Sequence, residues 1–290
     1  MTPVRHHVVQ GCGAGLKPAH YREILDSEPA VGWFEVHPEN YMGAGGPPHT
    51  YLGEIRARYP LALHGVGLSI GGPEPLDLAH LDRLKELILR YEPSMVSEHL
   101  AWSTHQGQFF NDLLALPYTA ETLGLVVDHV DQLQEHIGRA ILLENPATYV
   151  RFADSTFDEI DFLTEVARRT GCYLLLDINN VQVSCTNHGD DPEAYLDRFP
   201  THLAGEIHLA GHARADGAEG TLLIDSHDRP VAPAVWQLYE RVVAAAGPVP
   251  TMIEWDNDIP QWPVLHGEVL RAQAILNGAK DAHGGNRHVA

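Results

Sequence analysis

Eight short apolar runs recur along the chain: Val8 to Ala14, Gly32 to Val36, Leu61 to Val66, Ser94 to His99, Ala140 to Glu144, Tyr173 to Ile178, Leu203 to Leu209 and Thr251 to Trp255. They have the look of buried parallel strands, and a segment of helical periodicity follows each, the pattern of repeated β/α units. Leu81, Leu84, Ile88 and Tyr91 form one helical stripe, with Asp82, Arg83, Lys85 and Glu86 facing elsewhere. Leu123, Val126, Val127, Val130 and Leu133 form the next. Thr156 and Glu159 have capping-box spacing ahead of Ile160, Leu163 and Ala167, and Gly171 stops that helix. Two connections are long: Pro38 to Pro48, rich in Gly and Pro, and Gly211 to Pro233, which carries Asp225-Ser-His227-Asp and has no helical period. In a barrel, insertions after strands form the rim of the active site.

Eight alternations close a single-domain (β/α)8 barrel of the TIM type, and 290 residues suit that fold, which usually takes about 250. The barrel domain is expected over 1–278, with a polar, disordered tail over 279–290 that holds His283 and His288.

The strands end in polar residues. Leu61-Ala-Leu ends in His64, Met95-Val-Ser-Glu in His99, Ile141-Leu-Leu in Glu144 and Leu174-Leu-Leu in Asp177; Glu206-Ile207 leads to His208, and Met252-Ile253 to Glu254. Each lies at a carboxyl end, where barrel enzymes place their catalytic groups, so residues remote in sequence converge. Any one such histidine, taken alone, is more often a hydrogen-bonded core residue than a ligand. Six at corresponding positions are a different matter. Three carboxylates facing one another in a desolvated mouth are costly without counter-charge, and metal ions supply it. Imidazole and carboxylate suit zinc, manganese or non-heme iron. The set is too large for one tetrahedral ion, and a carboxylate can bridge two, so a dinuclear centre is expected. Asn180, Asp225 and His227 would add a third site, although Asn179-Asn180 as a turn and Asp225 and His227 as a solvated loop are competing readings. His188, His212 and Asp112 are candidates for supporting or substrate-contacting groups.

Composition narrows the partners. Acidic residues outnumber basic ones 39 to 19, for a formal charge of −20, which disfavours nucleic acid and anionic membranes. Cys12, Cys172 and Cys185 are widely spaced, with no C-x-x-C pair, so neither a disulfide framework nor a thiolate zinc site is indicated. The first residues lack the apolar stretch of a signal peptide, and no run reaches the length of a membrane span. A soluble, cytoplasmic protein is expected.

The motifs themselves are Glu35-Val-His-Pro-Glu-Asn-Tyr41, His64-Gly-Val-Gly-Leu-Ser-Ile70, Ser97-Glu-His-Leu-Ala-Trp102, Leu143-Glu-Asn-Pro146, Asp177-Ile-Asn-Asn-Val181, Asn187-His-Gly189, Glu206-Ile-His-Leu-Ala-Gly-His212 and Glu254-Trp-Asp256. From about Gly11 to Leu276 the chain resembles the multinuclear non-heme iron-dependent oxidative enzymes. The resemblance implies a TIM-type barrel with two or three irons in mixed Fe2+ and Fe3+ states, an oxidoreductase that uses dioxygen on cysteine residues of ribosomally made precursor peptides. Activities in that family include making oxazolone and thioamide groups in methanobactin, removing the cysteine β-carbon in thiaglutamate synthesis, and forming thiooxazole in copper-binding bufferins.

Carried over by motif, the two catalytic irons fall to His64, His99, Glu144, Asp177, His208 and Glu254, with Glu144 as the bridge, and the third to Asn180, Asp225 and His227. The loop with Glu39, Asn40 and Tyr41 is expected to border a peptide channel. Members of the family usually work with a separate protein that recognises the leader peptide. The chain offers no spare segment for that task, so an external partner is expected. The alternative is a divalent-metal hydrolase or isomerase on a similar barrel, of the sugar isomerase or endonuclease kind; a third possibility is a metal-binding scaffold without catalysis.

Overall fold

A computed structural model of the chain describes residues 9–217 and 220–285. In chain order its elements are β1 (Cys12–Gly15), α1 (Tyr21–Ser27), β2 (Trp33–Val36), α2 (Pro47–Arg56), β3 (Leu61–Gly65), α3 (Leu78–Tyr91), β4 (Met95–His99), β5 (Trp102–His105), β6 (Gln108–Leu114), α4 (Ala120–Ile137), β7 (Leu142–Glu144), α5 (Glu159–Thr170), β8 (Tyr173–Asp177), α6 (Ile178–His188), α7 (Pro192–Arg198), β9 (Ala204–Leu209), β10 (Ala213–Gly217), β11 (Gly220–Ile224), α8 (Pro233–Ala246), β12 (Thr251–Ile253) and α9 (Trp262–Gly285). The eight strands expected from the apolar runs pair in parallel, each with its sequence neighbours, and close into a barrel when β1 pairs with β12. The Val8 start expected for the first strand and residues 286–290 of the expected tail lie outside the described residues, while 279–285 of that tail continue α9 as helix. Among the described residues, no helix is long and apolar enough to cross a membrane.

The alternation of side chains across a strand sets the layers inside the barrel. Trp33, Ala62 and Met252 pack with Val9 and Met95 as a small cluster of their own. Two positions further along those three strands, on the same inward face, stand Glu35, His64 and Glu254. An apolar plug thus carries a polar layer above it. Gly13 makes room for the plug, because a Cβ there would sit 2.5 Å from the Trp33 ring. On β9 a register shift pairs Leu175 with Glu206 and Asp177 with His208, so Glu206 and His208 also share the inward face.

The helices bury the stripes read from the sequence, with two corrections. On α3 the buried residues are Leu81, Leu84, Leu87 and Tyr91, and Ile88 is only partly covered. On α5 the N-cap is Asp158, whose side chain accepts from the Asp161 amide, and not Thr156; Gly171 closes the helix in the left-handed region as expected. Glu159 is unavailable for a capping box with Thr156 because the hydroxyls of Tyr118 and Tyr195 donate to its two oxygens at 2.8 and 2.7 Å. The box is formed instead by Thr119 and Thr122 at α4. Two antiparallel pairs went unread: β5 with β6, and β10 with β11 inside the long connection from Gly211. Both follow barrel strands and stand at the rim.

Candidate metal centre

Among the described residues five overlapping groups of ligand-type atoms, each within 4.8 Å internally, occupy the carboxyl end of the barrel; Glu35, His64 and His208 form one, His37, Glu254 and Asp256 another, and the other three make a continuous run: His64, His99 and Glu144; Glu144, Asp177 and His208; and Asp177, His227 and Glu254. Within that run Glu144 belongs to the first and second groups, and Asp177 to the second and third. The six principal residues expected from the strand ends are therefore brought together, and His227 joins them from the long connection.

Local structure explains how each is held. His99 Nδ1 lies 2.9 Å from the Gly65 carbonyl, to which only a protonated nitrogen can donate. His64 Nδ1 lies 2.8 Å from Ser97 Oγ, which itself donates to the Leu63 carbonyl. These bonds leave both Nε2 atoms as lone pairs, each 3.1 Å from Glu144 Oε2. Outer partners of this kind set the tautomer and aim of metal-binding histidines. Ser97→Ala is expected to weaken metal binding by about 10- to 100-fold while leaving the fold intact; a titration against a chromophoric chelator measures it, and unchanged affinity would remove Ser97 from this role.

Asp177 ends β8 and is at once the N-cap of α6, its Oδ1 accepting from the Asn180 amide at 2.6 Å. Asn145 clasps it reciprocally, donating to the Asp177 carbonyl and accepting from the Asp177 amide. Asn180 donates to Glu144 Oε1 and to the Asn145 carbonyl. Its own Oδ1 is buried and makes no hydrogen bond, as do Glu144 Oε2, Asp177 Oδ2 and His208 Nδ1. Buried polar atoms are nearly always satisfied, so these four orphans, three of them on the group Glu144, Asp177 and His208, could be satisfied by a cation. The donor set of imidazole, carboxylate and amide oxygen fits a hard or borderline ion, iron among them.

Asp225 lines the same mouth but belongs to none of the five groups. Its Oδ1 accepts from Asn179 Nδ2 at 2.6 Å and faces His227 Nε2 at 2.7 Å. Asn179 is in turn held by His212 Nδ1 at 2.7 Å, which gives His212 a supporting role. His227 has a left-handed backbone, φ 47°, unusual for a residue with a Cβ. Its amide donates to the Gly211 carbonyl, and its own carbonyl accepts from Asp256 and Asn257. Gly211 is required there, since a Cβ would meet the Arg229 carbonyl at 2.2 Å.

Residues missed from the strand pattern complete the surroundings. Glu35 and Glu206 both lie 3.3 Å from His208 Nε2, with no more than 3 % of either exposed. Lys17 and His37 contact Asp256 at the edge of the mouth. Glu35 carried the same signal as the six, an acid within an apolar strand. Other expectations fall away. His188 bonds Thr148 in a neighbouring cavity, whereas Asp112 does line the mouth, as an exposed residue of its wall. Tyr41 is buried against Tyr21 and Glu39 accepts from the amides of Val66 and Gly67, so neither borders a channel as expected. His49 and His129 are core residues bonded to Tyr91 and the Ile70 carbonyl.

Protonation follows from burial. Desolvation pushes His64 down to about 4 and lowers His99, keeping both neutral at pH 7. Desolvation lifts Glu144 above the usual carboxylate range against the pull of His99 and His208, and desolvation with repulsion from Glu144 and Asp225 lifts Asp177 well above it. His208 and His227 behave oppositely: burial disfavours their charge, but Glu35, Glu206 and Glu254 around the one and Asp225, Glu254 and Asp256 around the other hold them well above the ordinary value. Burial and the surrounding charges thus favour the protonated forms of Glu144, Asp177 and His208, whereas an ion needs their deprotonated forms. The sign is fixed: acid competes with metal. Affinity is expected to fall about tenfold per pH unit for each proton displaced as pH drops from 8 to 6, measured by chelator competition; a flat profile would contradict it.

The mouth is a cavity of about 210 Å³ whose walls include His99, Glu144, Tyr149, Asn180, His227 and Glu254. A family model described as "RiPP precursor modification enzyme MbnB/TglH/ChrH" matches residues 11–277. A UPF0276 protein of Rhizobium meliloti (strain 1021) is 55% identical over 274 residues, 93% of this chain and 89% of that one. A UPF0276 protein of Paraburkholderia phytofirmans is 56% identical over 264 residues, covering 91% and 86%. Among solved structures, D-psicose 3-epimerase with D-tagatose from Clostridium cellulolyticum H10 superposes with a TM-score of 0.60 at 11% identity, covering 93% of this chain and 99% of that one. A xylose isomerase-like TIM barrel protein from Mycobacterium smegmatis in complex with magnesium gives 0.61 at 13%, covering 95% and 99%. At such identities the structural likeness establishes the fold alone.

Proposed function

The chain belongs to the family of RiPP precursor modification enzymes that includes MbnB, TglH and ChrH, and from that premise we propose that it is an iron- and dioxygen-dependent oxidoreductase acting on cysteine residues of a ribosomally made precursor peptide. The observation that carries the proposal is the run of three ligand groups linked by Glu144 and Asp177, with its orphaned buried atoms. In this proposal His64, His99 and Glu144 hold one ion, Glu144, Asp177 and His208 a second, and Asp177, His227 and Glu254 a third, with Asn180 and Asp225 as further donors. Iron, when bound, supplies one-electron chemistry with dioxygen and a seat that favours thiolate over thiol.

The chain's own residues do the rest. Ser97 and the Gly65 carbonyl aim the His64 and His99 rings, while Asn145 and Asn180 fix the two shared carboxylates. The Tyr149 hydroxyl accepts from the Asp225 amide, tying the segment after β7 to the long connection across the mouth. A cavity of about 210 Å³ admits a cysteine side chain and little more of its peptide. A separate leader-recognition protein and a cytoplasmic location belong to the same proposal.

Oxygen uptake by anaerobically purified protein on mixing with a cysteine-containing peptide is the test. Uptake that needs both iron and the peptide thiol, and is absent with the serine analogue, is the expected result. Turnover of a sugar without oxygen would instead establish an isomerase.

A further inference from the structure

A cavity larger than the mouth lies away from the ligand residues. It measures about 380 Å³ and lies beside the mouth, with two chain segments forming a common wall. After β7, Pro146, Ala147 and Tyr149 face the mouth, while Thr148, Val150 and Phe152 face the cavity. At the end of β6, Asp112 and Leu113 face the mouth, and Ala115 and Leu116 the cavity.

We propose that this cavity is an anchor site for an apolar side chain of the precursor peptide, a few residues from the cysteine that enters the mouth. The inference rests on the peptide substrate proposed above. Its first support is that the polar groups of the cavity already have partners. Glu159 accepts from Tyr118 and Tyr195, one hydroxyl on each oxygen. Arg151 pairs with Asp190, Arg198 with Asp158, and His188 with Thr148. Each of these wall arginines thus already stands beside an acid. The remaining lining, including Leu116, Phe157 and Ile160, favours hydrocarbon.

The second support lies on the rim. Val150 and Phe152 are 56% and 40% exposed, and Tyr149 between the two cavities is 43% exposed. Phe109 and Phe110 of β6 are exposed as well. Apolar surface clustered on the two segments that border both cavities marks a place to be covered. One extended peptide laid over Tyr149 reaches both, which a free small molecule in either cavity would not.

The probe is N-acetyl-4-benzoylphenylalanine N-methylamide, an apolar side chain between two peptide bonds, irradiated with the full-length metal-loaded protein and mapped by mass spectrometry. Cross-links are expected at Leu116, Val150 or Ile160, displaced by N-acetylphenylalanine N-methylamide but not by the aspartate analogue. Ala115→Trp, which fills the cavity, is expected to reduce them about 10- to 100-fold, the range for losing burial of one large apolar side chain; Ala115→Leu gives a milder change in the same direction. His64→Ala, impaired in the metal centre, keeps the wild-type map, so failure of the iron proposal and failure of the anchor are distinguishable. Labelling at the mouth, labelling spread over the surface, or equal displacement by the aspartate analogue in the wild-type protein would overturn the anchor.

Discussion

Glu144→Gln is expected to leave a folded barrel with at least about 100-fold weaker metal binding, beyond the 10- to 100-fold that loss of an outer partner costs, and no oxygen uptake. Glu144 is 1 % exposed and is shared by two of the five ligand groups. Glutamine keeps its shape and can still accept from Asn180 Nδ2, which now holds Glu144 Oε1 at 3.1 Å. It cannot supply the negative charge. In the metal-free protein the same change should raise stability, because Glu144 and Asp177 repel each other in a desolvated site and their acidity is suppressed accordingly. A higher melting temperature without metal, together with lost metal binding, separates a functional carboxylate from a structural one. Lower stability and unchanged metal content would mean that Glu144 is part of the scaffold.

Asp177 offers a paired comparison. Its Oδ1 caps α6 and its Oδ2 is one of the orphaned atoms. Asparagine caps a helix as well as aspartate does, whereas alanine costs about 1 kcal/mol. Asp177→Asn is therefore expected to lose metal at least about 100-fold while the apo-protein gains stability, as with Glu144→Gln, and Asp177→Ala to lose metal and to be about 1 kcal/mol less stable than Asp177→Asn. Chelator titration and urea denaturation give the two quantities. Equal stability losses in both variants would show that the charge itself, not the cap, holds α6 in place.

The barrel was legible because its strands are covered on both faces and so read as unbroken apolar runs, and because a polar residue at the end of such a run interrupts the pattern visibly. His64, His99, Glu144 and Asp177 are of that kind. Glu206 was harder to see. It lies two residues before His208 and so shares its inward face, but it stands just past the irregularity opposite Leu174 and Leu175 rather than at the end of an apolar run. β6 was invisible to periodicity because five of its seven residues, Gln108 to Asp112, are exposed, leaving no alternation between covered and solvent-facing positions. His227 depended on a left-handed backbone and on the close approach of Gly211 to Arg229, both tertiary. The capping box expected at Thr156 failed for a related reason: Tyr118 and Tyr195, distant in sequence, claim Glu159.

The number, identity and place of the metal ions bear most directly on the function proposed here. Protein purified without oxygen, analysed for metals and crystallised for anomalous diffraction at the iron edge, should contain two or three irons per chain, with one peak between His64, His99 and Glu144 and another beside Asp177 and His208. Fully active protein with fewer than two ions per chain, or with iron away from Glu144, would contradict the assignment.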